Sequence, residues 1–268
     1  MITLTDYPLI FRYPVVLLLV SFLVLWLAAW VGALGFRTFR AKLVRDDLSL
    51  VQGATLTLLA LIIGFTFSMA LNRYDQRKNY EEEEANAIGT EFLRADLLPA
   101  AEAAKVRSLL RSYLDQRILY YTTREEEDIA RLTATTDKLE SELWTILMAT
   151  ASAQPTPTIA LAVGGLNDVF NTRGYTQAAW WNRIPIPAWT LMSAIAICAT
   201  MLVGIGVKDH KVESRVLAVL PLVISIAFFL IADIDTPRRG TIRVVPQNLL
   251  AVAKSLPPPG AAQPQPLP

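Results

Sequence analysis

The chain has 268 residues, 53% of them hydrophobic, and its 25 Lys and Arg offset 24 Asp and Glu to leave a formal net charge of +1. That balance, with no basic helix interleaved with aromatics, gives no reason to invoke nucleic acid, and a single cysteine, Cys198, excludes an intrachain disulfide. The apolar residues are gathered into a few long runs, which is a membrane composition and not that of a water-soluble enzyme.

In chain order, Pro14 suits the first turn of a helix. Residues 15–35 are apolar, with Trp26 and Trp30 towards the far end, where an aromatic belt sits. The run exceeds a signal-peptide core and Arg12 is a weak positive flank, so a retained membrane helix is expected over a cleaved leader. A connector with Arg37, Arg40, Lys42 and Arg45 leads past Asp46 and Asp47 to a second span, about 50–72. The polar stretch Asn72-Arg73-Tyr74-Asp75-Gln76-Arg77-Lys78 that follows has no proline, so one rod about 60 Å long is expected to run from lipid into water. It continues through Glu81–Glu84 to Arg94, and Pro99 ends it.

Three more helices are expected before the chain returns to the membrane. Val106, Leu109, Leu110, Tyr113, Leu114, Ile118 and Tyr121 fall on one side of a helix over about 100–121. Ile129, Leu132, Thr136, Leu139, Leu143, Ile146 and Leu147 do so over about 125–150. Gln154-Pro155-Thr156-Pro157 breaks the pattern, and a further helix runs from about 158 to 170 or onward to Trp181. Trp180, Trp181 and Trp189 around Ile184-Pro185-Ile186-Pro187 mark re-entry. Spans over about 188–207 and 216–232 follow, the second containing Pro221 and the turn between them holding His210, read as a solvated residue. From about 256 the end is proline- and alanine-rich and reads as disordered.

The predicted fold is therefore an all-α integral membrane protein with four transmembrane helices and a helical-bundle soluble domain inserted between helices 2 and 3. The corresponding regions are an N-terminal membrane hairpin, 1–72; the soluble domain, 73–185; a C-terminal membrane hairpin, 186–232; and an extramembrane tail, 233–268. Charge does not choose the side. Arg37, Arg40, Lys42, Arg45, Lys208, Lys211 and Arg215 in the short connectors face Arg12, Arg73, Arg77, Lys78, Arg183, Arg238, Arg239 and Arg243 on the opposite flanks.

The second span carries the most informative pattern. Gly53, Thr57, Ala60, Gly64, Ser68 and Asn72 recur at three- and four-residue spacing, a single stripe of small or weakly polar side chains. Two readings stand open: close packing of helices in lipid, or the lining of an aqueous path in a symmetric assembly. Arg73 and Arg77 form a basic collar beyond it, suited to lipid headgroups or to drawing anions to a pore mouth. Glu81 to Glu84 point in different directions and read as a solvated face, with Glu81 paired to Arg77 and Glu82 to Lys78; a charged vestibule in a ring of subunits is the alternative. Asp233 and Asp235, directly after the last apolar run, read as helix caps, partners of Arg238 or Arg239, or a cation site. There is no G-x-x-x-x-G-K, G-x-S-x-G or H-E-x-x-H, so no enzyme, cofactor or metal site is expected.

Gly64-Phe65-Thr66 with Asn72-Arg73-Tyr74-Asp75, and Asp235-Thr236-Pro237 after the last helix, resemble bestrophin anion channels and their bacterial relatives. The closer resemblance is to a bacterial membrane-protein family described as bestrophin-like. It rests on Asn72–Arg77, Glu84-Ala85-Asn86-Ala87-Ile88-Gly89-Thr90, Arg94-Ala95-Asp96-Leu97-Leu98-Pro99 and Asp233 to Val244. The resemblance implies a pentamer in the bacterial inner membrane, a central pore for small inorganic ions lined by the second span, and a cytosolic helical domain. The pore-lining residues it points to are Gly53, Thr57, Ala60, Gly64, Phe65 and Ser68, with Asn72, Arg73 and Arg77 at the mouth. Ile62, Ile63, Phe65 and Phe67 are the counterparts available for the bulky bestrophin constriction, while Gln76-Arg77-Lys78-Asn79 replaces its tryptophan-rich segment. A non-conducting membrane-anchored sensor or adaptor, acting through the helical domain, is the alternative function.

Overall fold

The computed structural model describes residues 10, 13–35, 45–206 and 213–257. The basic connector with Arg37, Arg40 and Lys42, the turn with His210 and the proline-rich end from 258 onward lie outside the described residues. The described chain is helical, without a strand: α1 (Pro14–Gly35), α2 (Arg45–Arg94), a 3-10 turn η1 (Ala95–Leu97), α3 (Ala100–Thr122), α4 (Glu126–Ala153), α5 (Pro157–Trp181), α6 (Ile186–Gly206), α7 (Glu213–Asp235) and α8 (Gln247–Ser255). Among these residues, four helical stretches are long and apolar enough to cross a membrane: Pro14–Leu34, Leu48–Leu97, Pro157–Gly206 and Leu217–Asp235. In the second, the charge-free part ends at Leu71; in the third, it is α6.

The chain divides into two compact units, Met1–Tyr74 with Asn182–Arg243, and Asp75–Trp181 with Val244–Pro268. The first unit is built from α1, the apolar part of α2, α6 and α7. Its core joins Leu17 and Leu25 to Leu59, Ala70, Trp189, Met192, Ala196, Ile224, Phe228 and Ile231. Trp189 and Phe228 meet edge to face, with ring centres 6.1 Å apart, the arrangement the aromatic quadrupole favours. Leu19, Leu23, Leu27 and Val31 form an exposed apolar line along α1, which suits a helix whose solvent is lipid.

The α1–α6 crossing depends on small residues. A Cβ on Gly32 would collide with the Met201 carbonyl, and one on Gly204 with the Ala29 carbonyl. Ala29, Ala33, Ala196 and Ala199 are buried at the same crossing or in the adjoining core. Thr200, fully buried, returns its hydroxyl to the Ala196 carbonyl at 2.8 Å, so its own donor is satisfied within α6. Helix α7 runs through Pro221 without interruption. Cys198 is exposed on α6.

The second unit is a helical bundle of the polar part of α2 with α3, α4, α5 and α8. Phe92, Val106, Leu110, Leu143, Leu147, Ile159, Ala162 and Leu166 form its centre. The apolar lines read from the sequence on α3 and α4 do point inward, and α3 adds Arg117 and Tyr120 to its buried side. Helix α8 has no counterpart in the sequence reading. Its N-cap position is Pro246, which offers no side-chain acceptor, so the local signal of a helix start is missing.

Candidate functional site: the two faces of helix α2

In the first unit, α2 presents one face to its own chain and leaves the other bare. Leu56, Leu59, Ile62, Ile63, Phe67, Ala70 and Tyr74 join the core, and buried Thr66 donates its hydroxyl to the Ile62 carbonyl at 2.7 Å. Of the four candidates for a hydrophobic constriction, Ile62, Ile63 and Phe67 therefore pack inward, while Phe65 is 66% exposed. Gly53, Thr57, Ala60, Gly64, Ser68 and Asn72 are all exposed. Beyond the neighbouring helix backbone, no described atom lies within 4 Å of a Cβ placed on Gly53 or Gly64. The stripe is thus unused in packing among the described residues; the close packing expected of small side chains is made by α1 and α6 instead. Thr57 satisfies its hydroxyl on the Gly53 carbonyl at 2.9 Å.

Where the first unit's part of α2 ends, charged groups lock the chain segments together. Arg73, half-buried, lies 3.4 Å from Asp235, and Asp235 also accepts the Ile184 backbone N–H at 3.1 Å. Asp233 is 2% exposed. It accepts the Thr241 N–H at 2.8 Å, the Thr241 hydroxyl at 2.7 Å and the Ile242 N–H at 2.8 Å. These bonds shape the turn after α7, where a Cβ on Gly240 would collide with the Asp233 carbonyl. Arg239 stands 4.9 Å over the Tyr13 ring and hydrogen-bonds its hydroxyl. Both acids act as caps for backbone and side-chain donors.

In the second unit the inward face of α2 turns ionic. Arg77 is not on an exposed collar: it is buried and donates its Nε–H to the Ala179 carbonyl at 3.2 Å. The solvated-face reading of the four glutamates holds for Glu82 and Glu83 and fails for Glu81 and Glu84, which are buried. Glu84 receives the Arg117 guanidinium, the Thr176 hydroxyl at 3.0 Å and the Tyr121 hydroxyl at 3.3 Å. Burial disfavours the Arg117 charge, but the Glu84 carboxylate more than offsets this and its proton is held more tightly than usual. Burial, reinforced by Glu84, likewise raises Tyr121 well above the ordinary phenol range, so it serves as a neutral donor. Arg173 clamps Asp137 at 2.5 Å and Glu140 at 2.6 Å, and Tyr113 donates to Glu140 at 3.2 Å.

Glu81 performs the capping that Pro246 cannot. Its carboxylate accepts the Leu249 N–H at 2.9 Å and the Asn248 side-chain N–H at 2.7 Å, at the first turn of α8, where helix dipole and free donors favour an anion. A signal for these buried charges was present. Leu59, Ile63, Thr66, Ala70, Arg73, Arg77, Glu81, Glu84, Ile88 and Glu91 follow at spacings of three and four, one continuous helix face whose first members are core residues. Among the described residues no group of three or more His, Cys, Asp or Glu converges as a metal site.

Four membrane-length helices, an all-helical architecture and a long helix shared by an apolar and a polar unit define a multi-pass helical membrane protein. The chain belongs to the bestrophin-like family, whose domain model matches residues 23–249. The fold is similar to that of a bacterial bestrophin homologue from Klebsiella pneumoniae, with a TM-score of 0.63, 15% identity and coverage of 89% of this chain and 99% of that one. A variant of that homologue with a tyrosine-to-alanine substitution gives a TM-score of 0.64 at 15% identity, covering 89% and 99%. A structure described as a membrane protein with a proline-to-alanine substitution gives 0.63 at 15% identity, covering 88% and 98%. Among curated proteins none matches the sequence.

Proposed function

We propose that the protein is an oligomeric ion channel of the bacterial inner membrane, with α2 lining a central pore, and that it conducts anions. The observation that carries this reading is the bare stripe of α2: Gly53, Thr57, Ala60, Gly64 and Ser68, with Phe65 beside them, are exposed while the opposite face is sealed by the chain's own core. Small residues of this kind let another helix approach closely in lipid. Such a stripe suits a helix that meets copies of itself around water. The resemblance to bestrophins favours five copies, anions as the conducted species and a cytosolic position for the second unit as an inserted soluble domain. Asn72 stands exposed where the stripe ends, and Arg73, held by Asp235, supplies positive charge beside it. Asp233 and Asp235 serve as supports that set this mouth, and membrane lipids cover the outward line of α1.

The test is ion flux in liposomes loaded with the purified protein, comparing chloride with potassium and wild type with Ser68→Trp. The reading expects chloride flux that the tryptophan abolishes while the oligomer persists on size-exclusion chromatography. A folded oligomer that passes no ion across a range of pH, voltage and calcium would leave the sensor or adaptor reading in its place.

A further inference from the structure

Glu91 is the one carboxylate among the described residues whose two side-chain oxygens are buried without a hydrogen-bond partner. It is fully inaccessible and lies beyond the polar stretch at 72–78, inside the second unit. Its oxygen rests on Gly165 of α5, where a Cβ would collide with Glu91 Oε2 and with Arg94 Nη1. The absence of a side chain at 165 is therefore what admits the carboxyl to the α2–α5 contact. An ionised carboxylate in such a place would be very unfavourable without donors. The charges that act on it are Arg94 on its own helix, which attracts the anion without bonding it, and Asp168 on α5, which repels it. On η1 and α3, Asp96 and Arg107 are paired to each other, with Arg107 over the Phe92 ring.

We propose that Glu91 on Gly165 is a proton-controlled latch between α2 and α5: the neutral carboxyl seals the contact, and its ionisation opens it to water and to Arg94. Burial, opposed by Arg94 and aided by Asp168, lifts this carboxyl to about 8, so the latch is closed at neutral pH and opens under mildly alkaline conditions. The inference does not depend on whether α2 lines a pore. Ionisation on α2 would none the less reach the same helix that carries the stripe.

The test uses the full-length protein in detergent. Infrared difference spectra over rising pH should lose a protonated-carboxyl band with a midpoint near 8, and Glu91→Gln should lack that band. Hydrogen exchange, corrected for its intrinsic pH dependence, should show protection of residues 88–97 and 160–168 falling about tenfold per pH unit as pH rises towards the midpoint and levelling off above it in wild type, and holding constant in E91Q. A band already absent at pH 7 overturns the latch, as does an exchange profile that Glu91→Gln leaves unchanged. The wild-type infrared titration decides the matter even if the variant fails to fold.

Discussion

The two faces of α2 invert the usual division between inside and outside. On the membrane half, the outward face carries a stripe of glycine, alanine and small hydroxyl residues beside exposed Leu58, Leu61, Phe65 and Met69. On the polar half, the inward face carries Arg77, Glu81, Glu84 and Glu91, all buried. The α1–α6 crossing shows what glycine does when it is used within the chain: at Gly32 and Gly204 there is no room for a methyl group. The contrast teaches that residue type alone does not reveal a helix's partner. A glycine packed against a carbonyl and a glycine facing open space are identical letters with opposite tolerance for substitution.

The largest effect is expected on the ionic face. Glu84→Ala should destabilise the second unit by about 3–5 kcal/mol, because it strands a buried guanidinium; thermal unfolding in detergent measures this. Replacing both partners, Glu84→Leu with Arg117→Met, should restore most of the loss, and a double variant as unstable as the single one would refute the pair as the cause. Next, Gly204→Ala should cost about 1–3 kcal/mol by driving a methyl into the Ala29 backbone, with Gly32→Ala similar. Glu81→Ala should cost about 1 kcal/mol, the worth of a helix cap, and should appear as faster hydrogen exchange confined to 247–255. The smallest effect belongs to the bare stripe. Gly64→Ala should leave the isolated chain no less stable, with a gain of up to about 1 kcal/mol from helix propensity. A loss of about 2 kcal/mol there, measured in monomeric detergent complexes, would break the contrast between the two glycine sites.

Proton linkage sharpens the same contrast through Glu91 on the buried face. Glu91 is raised from an ordinary 4.5 to about 8 in the fold, so the folded state holds a proton that the unfolded chain has released. Stability of the second unit is full below about 4.5, falls progressively as pH rises through about 8 and levels off above it. Glu91→Gln should remove that slope. Equal pH dependence of melting in the variant and wild type would show that another group is responsible.

Much of the architecture was written in local patterns. Charge-free runs of span length, prolines at 14, 99, 155 and 157, and apolar residues three and four apart place α1 to α7 within a few residues of their observed ends. These features act through nearest neighbours on one helix, so the sequence expresses them directly. The stripe on α2 was equally visible, but its surroundings were not, because exposure depends on which other helices arrive and from which side.

The tertiary structure alone decided the rest. Glu81 caps a helix 166 positions downstream, counted from its side chain to Gln247, and no local rule announces α8 behind Pro246. Glu84 gathers Arg117, Tyr121 and Thr176 from two other helices, so a run of four glutamates that looks uniformly solvated is split into two buried and two exposed. Burial of a charge becomes tolerable only when distant donors converge on it. The amino-acid order by itself therefore determined which segments are helical and which can enter a membrane. The fold determined which of their faces are closed by the chain itself and which remain open.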